Sequence, residues 1–416
     1  MKVFYRTDFP ATRSAFAHDF ISGVTVAIVA LPLAIGFGIT SGLTAAAGIS
    51  TAIVAGFISA LLGGSRFQVS GPTGAMTVVL IPVIHHYGIG AIPTLGVMAG
   101  VIVIAMGALR LGRLIKRVPD SVVEGFTVGI AIIIALQQLP FALGVTKGAG
   151  DRTLPSAFNT VKSALALGLH WQTLFVLCLT LFIKFNIMRI VEAMHIRSYI
   201  PASFSALVIA SGVTALLHLS VNKVGDIPRS VITWTPPHSN NLHFVSLIVP
   251  ALSIAFLAAI ESLLAARVAD ELAHVSKANE FRPNQELFGQ GIASAIASIF
   301  GGMPATGAIA RTNVNVRSHG TSRIASMVHA LTLLIIILFM APLFSQIPSA
   351  AIAGVLIGTS FRIFNKVTML EIFSSGREKT LIFLVTAIST VSIDLIWGIS
   401  IGIALYWAFA LKAKFL

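Results

Sequence analysis

An all-α integral membrane protein is the fold class this sequence predicts, and three observations predict it. Apolar residues make up 56% of the 416 and charged residues only 10%, whereas a water-facing domain carries about 25% charged residues. Asp, Glu, Lys and Arg are absent from the windows 20–65, 67–109, 125–146, 163–183, 198–222, 230–260, 287–310, 324–361 and 395–411. A membrane helix needs about 20 mostly apolar residues, so several windows hold one span and the longest hold two. The basic residues then collect in alternate segments: Arg110, Arg113, Lys116 and Arg117; Lys184, Arg189 and Arg197; Arg267, Lys277 and Arg282; Arg317 and Arg323; Arg362, Lys366, Arg377 and Lys379; Lys412 and Lys414. That asymmetry is the positive-inside pattern. It predicts a multi-pass protein of the cell's inner (plasma) membrane with both termini in the cytoplasm.

The same distribution excludes other classes. A net charge of +13 suits nucleic acid, but charge confined to alternate loops describes a protein whose partner is the lipid bilayer. The single cysteine, Cys178, allows no intramolecular disulfide and no cysteine metal site. No P-loop is present, so ATP-driven transport by this chain alone is not expected. No catalytic triad or nucleotide-binding glycine motif is present either, so the reading is not an enzyme, with no cofactor and no metal.

Spans are expected near 19–38, 45–62, 73–87, 92–109, 121–140, 171–191, 200–218, 246–272, 286–300, 306–317, 321–341, 349–362, 379–393 and 395–412. The count is fourteen, and its even parity agrees with both termini inside. Residues 1–18 form a polar cytoplasmic segment, and the first helix is retained rather than cleaved as a signal peptide. Polar outer loops are expected over 144–170 and 219–243. The second is the midpoint between one repeat over about 19–220 and another over about 244–412. Seven spans per half is odd, so the halves would be inverted.

Spans three and ten are short, and each follows a Gly/Pro-rich lead. One reads Gly63-Gly64-Ser65-Arg66-Phe67-Gln68-Val69-Ser70-Gly71-Pro72-Thr73-Gly74-Ala75, the other Gly301-Gly302-Met303-Pro304-Ala305-Thr306-Gly307-Ala308. Broken spans at matching positions of inverted repeats point to a transporter's binding site. Extended backbone at membrane depth is tolerated only inside protein or beside a cavity. Helices starting at Thr73 and Thr306 would aim free N–H groups and the positive ends of their dipoles at mid-membrane, an anion site. The substrate-binding candidates are therefore Thr73, Gly74, Ala75, Thr306, Gly307 and Ala308, with contact expected at the backbone N–H groups of Gly74, Ala75, Gly307 and Ala308. The plainer alternative is glycine that only lets helices approach.

Glu261 follows a charge-free run inside the eighth span. A charge there costs about 2.5–3.5 kcal/mol on insertion scales, tolerated if it faces a wet cavity, pairs with a cation or takes a proton. It is the ion-coupling candidate; a structural ion pair is the alternative. Arg267, Asp270 and Glu271 read as a solvated cap. Arg311 lies five residues past Thr306, and its fork of donors suits planar oxyanions. The alternative is that it only neutralises Glu261. Pro32 interrupts the first span, to shape the site or merely to bend a helix. His85 and His86 end the third span as exposed interfacial residues rather than a metal pair.

These stretches resemble the sulfate permease (SulP) family of anion transporters, related to prestin and cyanobacterial bicarbonate transporters. The matching segments are Gly23 to Ala34, Gly71 to Thr77, Glu261 to Leu264, Val268 to Asp270, Asn284 to Gly291 and Phe300 to Thr312, and the resemblance runs from about Asp19 to the end. It implies a transmembrane domain over 19–416 with core and gate domains, substrate between the third and tenth helix starts, and an elevator-like cycle. Family members often add a cytoplasmic STAS domain; this sequence stops at Leu416, directly after the last span, so none is expected within it. In sodium-coupled bicarbonate members the position matching Glu261 serves the cation site, and the position matching Arg311 is small. Arg311 itself resembles the arginine of prestin-like members. The expected function is therefore a secondary active transporter of sulfate, bicarbonate or dicarboxylate by proton-coupled symport, with a second copy of the chain, as a homodimer, among its candidate partners. The alternatives are sodium-coupled bicarbonate symport, a nucleobase:cation symporter of the same architecture, or an anion channel.

Overall fold

The computed structural model describes every residue except 1–7, 116–117, 151, 194–200, 238–243, 365 and 416. Helices lie at each of the expected spans: α1 (Arg13–Thr40), α2 (Ala45–Leu62), α3 (Gly74–Tyr87), α4 (Ile92–Ala108), α5 (Asp120–Gln137), α6 (Trp171–Ala193), α7 (Ala202–Leu216), α8 (Phe244–Leu272), α9 (Pro283–Ile299), α10 (Ile309–Arg317), α11 (Arg323–Ser345), α12 (Ser349–Ile363), α13 (Arg377–Ser392) and α14 (Leu395–Phe415). Among the described residues, eight helices are long and apolar enough to cross a membrane. Two expectations need correction. The outer loop over 144–170 contains a helix, Thr153–Leu167, and a further short helix, Lys366–Ser374, joins α12 to α13. Pro32 does not interrupt α1, which runs through it unbroken.

Packing divides the helices into two groups. α4 lies on α9, α2 on α9 and α11, and α1 on α11, while α8 packs on α4 and α10. The second group sets α5 on α13, α13 on α14, and α6 on α7 and α12. Apolar burial cannot drive helix association in lipid, so close approach of small residues does much of the work. At the α4–α9 crossing, a Cβ on Gly100 would stand 2.6 Å from the Gly291 carbonyl oxygen, and one on Gly291 would stand 2.6 Å from that of Gly100. Only glycine at both positions permits this crossing.

Several charges expected in loops or in a solvated cap are instead buried and hydrogen-bonded. Lys184 is 1% exposed; its Nζ donates to Ser203 Oγ (2.9 Å), the Val355 carbonyl (2.7 Å) and Thr359 Oγ1 (2.6 Å), tying α6 to α7 and α12. Arg323 is fully buried, donating to the Ala60 and Leu61 carbonyls at the end of α2 and pairing with Asp8 at 3.1 Å. Asp270 is no solvated cap: its carboxylate accepts from Phe281 N at 2.6 Å. Each replaces lost hydration with protein partners, which a buried charge requires.

Asp19 carries the clearest stability prediction. It is fully buried and accepts from Thr321 N (2.5 Å), Thr321 Oγ1 (3.1 Å), Ser322 N (3.1 Å) and Ser322 Oγ (2.5 Å) at the start of α11. The carboxylate of one helix thus satisfies the orphan N–H groups before another. Asp19→Ala leaves those donors buried and unpaired, a cost of about 2–4 kcal/mol. A clear fall in the melting temperature of the detergent-purified protein is expected; an unchanged value refutes this role.

Candidate functional site

The two Gly/Pro leads meet as a short ladder. β1 (Ser70–Gly71) pairs antiparallel with β2 (Thr306–Gly307), with Ser70 opposite Gly307 and Gly71 opposite Thr306. Proline and glycine prevent helix here, and side chains from neighbouring helices satisfy the extended backbone. On the first lead, Gly64 N and Ser65 N donate to the Glu286 carboxylate (2.7 and 2.9 Å), Val69 N donates to Thr312 Oγ1 (3.1 Å), and Asn315 Nδ2 donates to the Phe67 carbonyl (2.7 Å). On the second, Met303 N donates to Thr51 Oγ1 (2.7 Å), Ala305 N to Ser294 Oγ (2.9 Å) and Gly307 N to Ser262 Oγ (3.0 Å). This accounts for irregular backbone far inside the protein.

The ladder alters two expectations. α10 starts at Ile309, so Thr306 and Gly307 are strand residues and Ala308 is the N-cap. The N–H groups of Gly307 and Ala308 are already engaged, by Ser262 Oγ and by the Val69 carbonyl at 2.9 Å, so they are not free to bind an anion. At that end the free helix-start donors move to Ile309 and Ala310. Gly307 is also a poor probe of the site. A Cβ there would stand 2.4 Å from Gln68 Nε2 and 2.9 Å from Ser262 Cα, so any bulky substitution would disrupt the ladder itself. α3 begins at Gly74, with Thr73 as N-cap, and Gly74 and Ala75 occupy its first turn. A Cβ on Gly74 would lie 2.3 Å from the Ile134 side chain of α5, so this turn abuts the second helix group.

The polar side chains converge beside the ladder. Thr306 Oγ1 donates to Glu261 Oε2 at 2.6 Å, and Thr73 Oγ1 donates to the same oxygen at 3.0 Å. Thr73 and Thr306, one from each lead, thus share one carboxylate oxygen from α8. Arg311 is 1% exposed. Its Nη2 donates to the Pro72 carbonyl, and its Nη1 has no hydrogen-bond partner. Among the described residues no direct ion pair joins Arg311 to Glu261. Gly71 makes room for the guanidinium: it has φ of 156°, and a Cβ there would lie 2.3 Å from Nη1. A charged donor without an acceptor beside two helix starts can take an anion. A carboxylate within reach of it can take a cation. His85 and His86 lie exposed at the end of α3, away from these groups, with their ring centroids 5.5 Å apart.

The comparisons with known proteins agree with this architecture. Residues 16–386 match the profile of the Sulfate permease family. The chain belongs to the sulfate permease family. YvdB of Bacillus subtilis is 32% identical over 402 residues, covering 95% of this chain and 74% of its own length. The bicarbonate transporter BicA of Picosynechococcus is 30% identical over 402 residues, covering 92% of this chain and 68% of its own. In three dimensions, the transmembrane domain of a cyanobacterial BicA superposes with a TM-score of 0.83 at 28% identity, over 95% of this chain and all of that one. The murine Slc26a9 anion transporter, solved in an inward-facing state, gives 0.81 at 16% identity over 97% of this chain and 69% of its own, a likeness of fold. As a member of the sulfate permease family the chain is an anion transporter of the membrane, and its relatives are transporters rather than enzymes.

Sequence reasoning missed the groups that build the ladder: Gln68, Ser262, Glu286, Thr312 and Asn315. It also missed His329, which is fully buried on α11. The one available signal was a histidine inside the charge-free window 324–361.

Proposed function

We propose that the protein is a secondary active transporter that carries a small oxyanion, sulfate or bicarbonate, between the starts of α3 and α10, coupled to a proton taken up at Glu261. The observation that carries this reading is the shared Glu261 oxygen beside the unpartnered Arg311 Nη1. Neutralising Glu261 removes a repulsion felt by the arriving anion, so proton and anion favour each other's binding. The names of the relatives, a sulfate permease family and bicarbonate transporters, suit small oxyanions. The positive-inside pattern supports a cytoplasmic position for both termini.

The packing supports two inverted seven-helix repeats. Exchanging α1–α7 with α8–α14 turns the α4–α9 contact into α11–α2, α1–α11 into α8–α4, and α5–α13 into α12–α6, and each of these contacts is present. The group α1–α4 with α8–α11 then serves as the core, and α5–α7 with α12–α14 as the gate. In an elevator-like cycle the core slides past the gate, and polar contacts between them must break. Thr77 Oγ1 to Gln137 Oε1 (2.9 Å) and Gln138 Nε2 to Thr40 Oγ1 (3.1 Å) are two such contacts.

The oxygens also favour a second reading. Glu261 Oε2 lies 2.6 and 3.0 Å from the two threonine hydroxyls, and those hydroxyls lie 3.3 Å apart. Three oxygens so grouped suit a small hard cation, and hence sodium symport. Uptake of labelled sulfate, bicarbonate, dicarboxylates and a nucleobase into proteoliposomes, under separately imposed pH and Na⁺ gradients, decides among these. Saturable oxyanion uptake driven by the pH gradient is expected. Sodium-driven uptake selects the second reading, while non-saturating electrogenic flux or nucleobase preference overturns both.

A further inference from the structure

His329 is a buried imidazole with no role in the scheme above. It sits on α11, fully buried, and neither ring nitrogen has a hydrogen-bond partner. Buried polar groups are normally paired, so an orphaned imidazole calls for a reason. Its surroundings supply one. A Cβ built on Gly56 would lie 3.7 Å from His329 Cδ2 and 3.4 Å from the Ser70 carbonyl oxygen, so the ring and β1 pack over the same glycine of α2. The next strand residue, Gly71, is the one whose Cβ would touch Arg311 Nη1, at 2.3 Å. His329 therefore shares a glycine neighbour with Ser70, and the orphaned guanidinium nitrogen lies against the next residue of the same strand. Ser326, one turn earlier on α11, holds the same lead by donating to the Gln68 carbonyl at 2.8 Å. This face of α11 is thus fixed against the ladder.

The two orphans are chemically complementary. Arg311 offers only donors, and a neutral imidazole offers one acceptor nitrogen. We infer that His329 is a positioning residue for Arg311, its neutral imidazole accepting from the guanidinium through one water, and so holding the donor fork toward the anion. Pro72 fixes Nη2 from one side, and His329 fixes the orientation from the α11 side. The arrangement keeps a planar fork pre-oriented, which lowers the ordering cost of anion binding. A carboxylate in place of His329 would neutralise Arg311 and compete with the substrate; a neutral acceptor orients it without cancelling its charge.

This inference rests on the reading of Arg311 as an anion contact, and a double-mutant cycle separates the two. Initial rates of labelled-anion uptake into proteoliposomes would be measured for wild type, His329→Leu, His329→Gln, Arg311→Ala and the His329→Leu/Arg311→Ala pair. His329→Leu is expected to raise KM about tenfold, the scale of one hydrogen bond to a charged group, with maximal rate within about twofold. His329→Gln, which keeps an acceptor, should recover most of the affinity. Adding His329→Leu to Arg311→Ala should raise KM no further, because the histidine acts only through the arginine. A merely structural histidine would lower maximal rate and yield instead, and its effect would add to that of Arg311→Ala; either result overturns the inference. An unchanged KM in Arg311→Ala overturns the anion-contact reading and this inference together. If His329→Leu fails to insert, nitrogen-15 NMR of the His329 ring gives the answer: its acceptor nitrogen should shift between wild type and Arg311→Ala, and identical spectra overturn the proposal.

Discussion

Arg311→Ala is expected to weaken anion uptake by about 10- to 100-fold in KM, the range for losing a hydrogen bond to a charged group at a buried site. The guanidinium is buried, one of its arms is held by the Pro72 carbonyl, and another has no acceptor among the described residues. Its removal also leaves Glu261 without the nearest compensating charge, so anion selectivity should change along with affinity. Arg311→Lys should recover only part of the loss. A lysine brings the charge but not the planar fork, and it cannot serve Pro72 and a substrate at fixed angles together. Competition by sulfate, bicarbonate and a dicarboxylate against one labelled anion measures both quantities. Unchanged affinity and selectivity in the alanine variant, with wild-type thermal stability in detergent, would remove Arg311 from the site.

Glu261→Gln should abolish the response of uptake to an imposed pH gradient while preserving anion binding. The amide is nearly isosteric with the neutral acid, and its oxygen can still accept from Thr306 Oγ1 and Thr73 Oγ1. What disappears is the exchangeable proton and the negative charge that the arriving anion would meet. In the wild type, proton and anion assist each other, so uptake should rise as external pH falls. In the variant this dependence should flatten, leaving exchange of anion for anion. Two results sink the proton assignment: wild-type uptake that follows a Na⁺ gradient and ignores pH, or a Glu261→Gln protein that still concentrates anion on a pH gradient. The first would reassign Glu261, Thr73 and Thr306 to a sodium site.

The sequence alone determined the class of this protein. Charge-free windows of 17 to 46 residues cannot face water, and alternating basic segments can only be read against a membrane. The repeated Gly-Gly, Pro and Thr-Gly-Ala pattern marked the two leads, because proline and glycine act locally and leave a local signature. Glu261 and Arg311 stood out for the same reason: a charge in an apolar run is visible without knowing what surrounds it. Tertiary structure alone decided how the leads meet. The ladder between Ser70–Gly71 and Thr306–Gly307 joins segments more than 230 residues apart. It withdrew the Gly307 and Ala308 N–H groups from the site and moved the start of α10 to Ile309. Lys184, Arg323 and Asp270 followed the same logic. Lys184 and Arg323 were placed in loops by their charge and Asp270 in a solvated cap, and each is buried because carbonyls, hydroxyls, an opposite charge or a backbone N–H of another segment replaces its water. Such compensation is a property of neighbours in space, and no pattern along one chain records it.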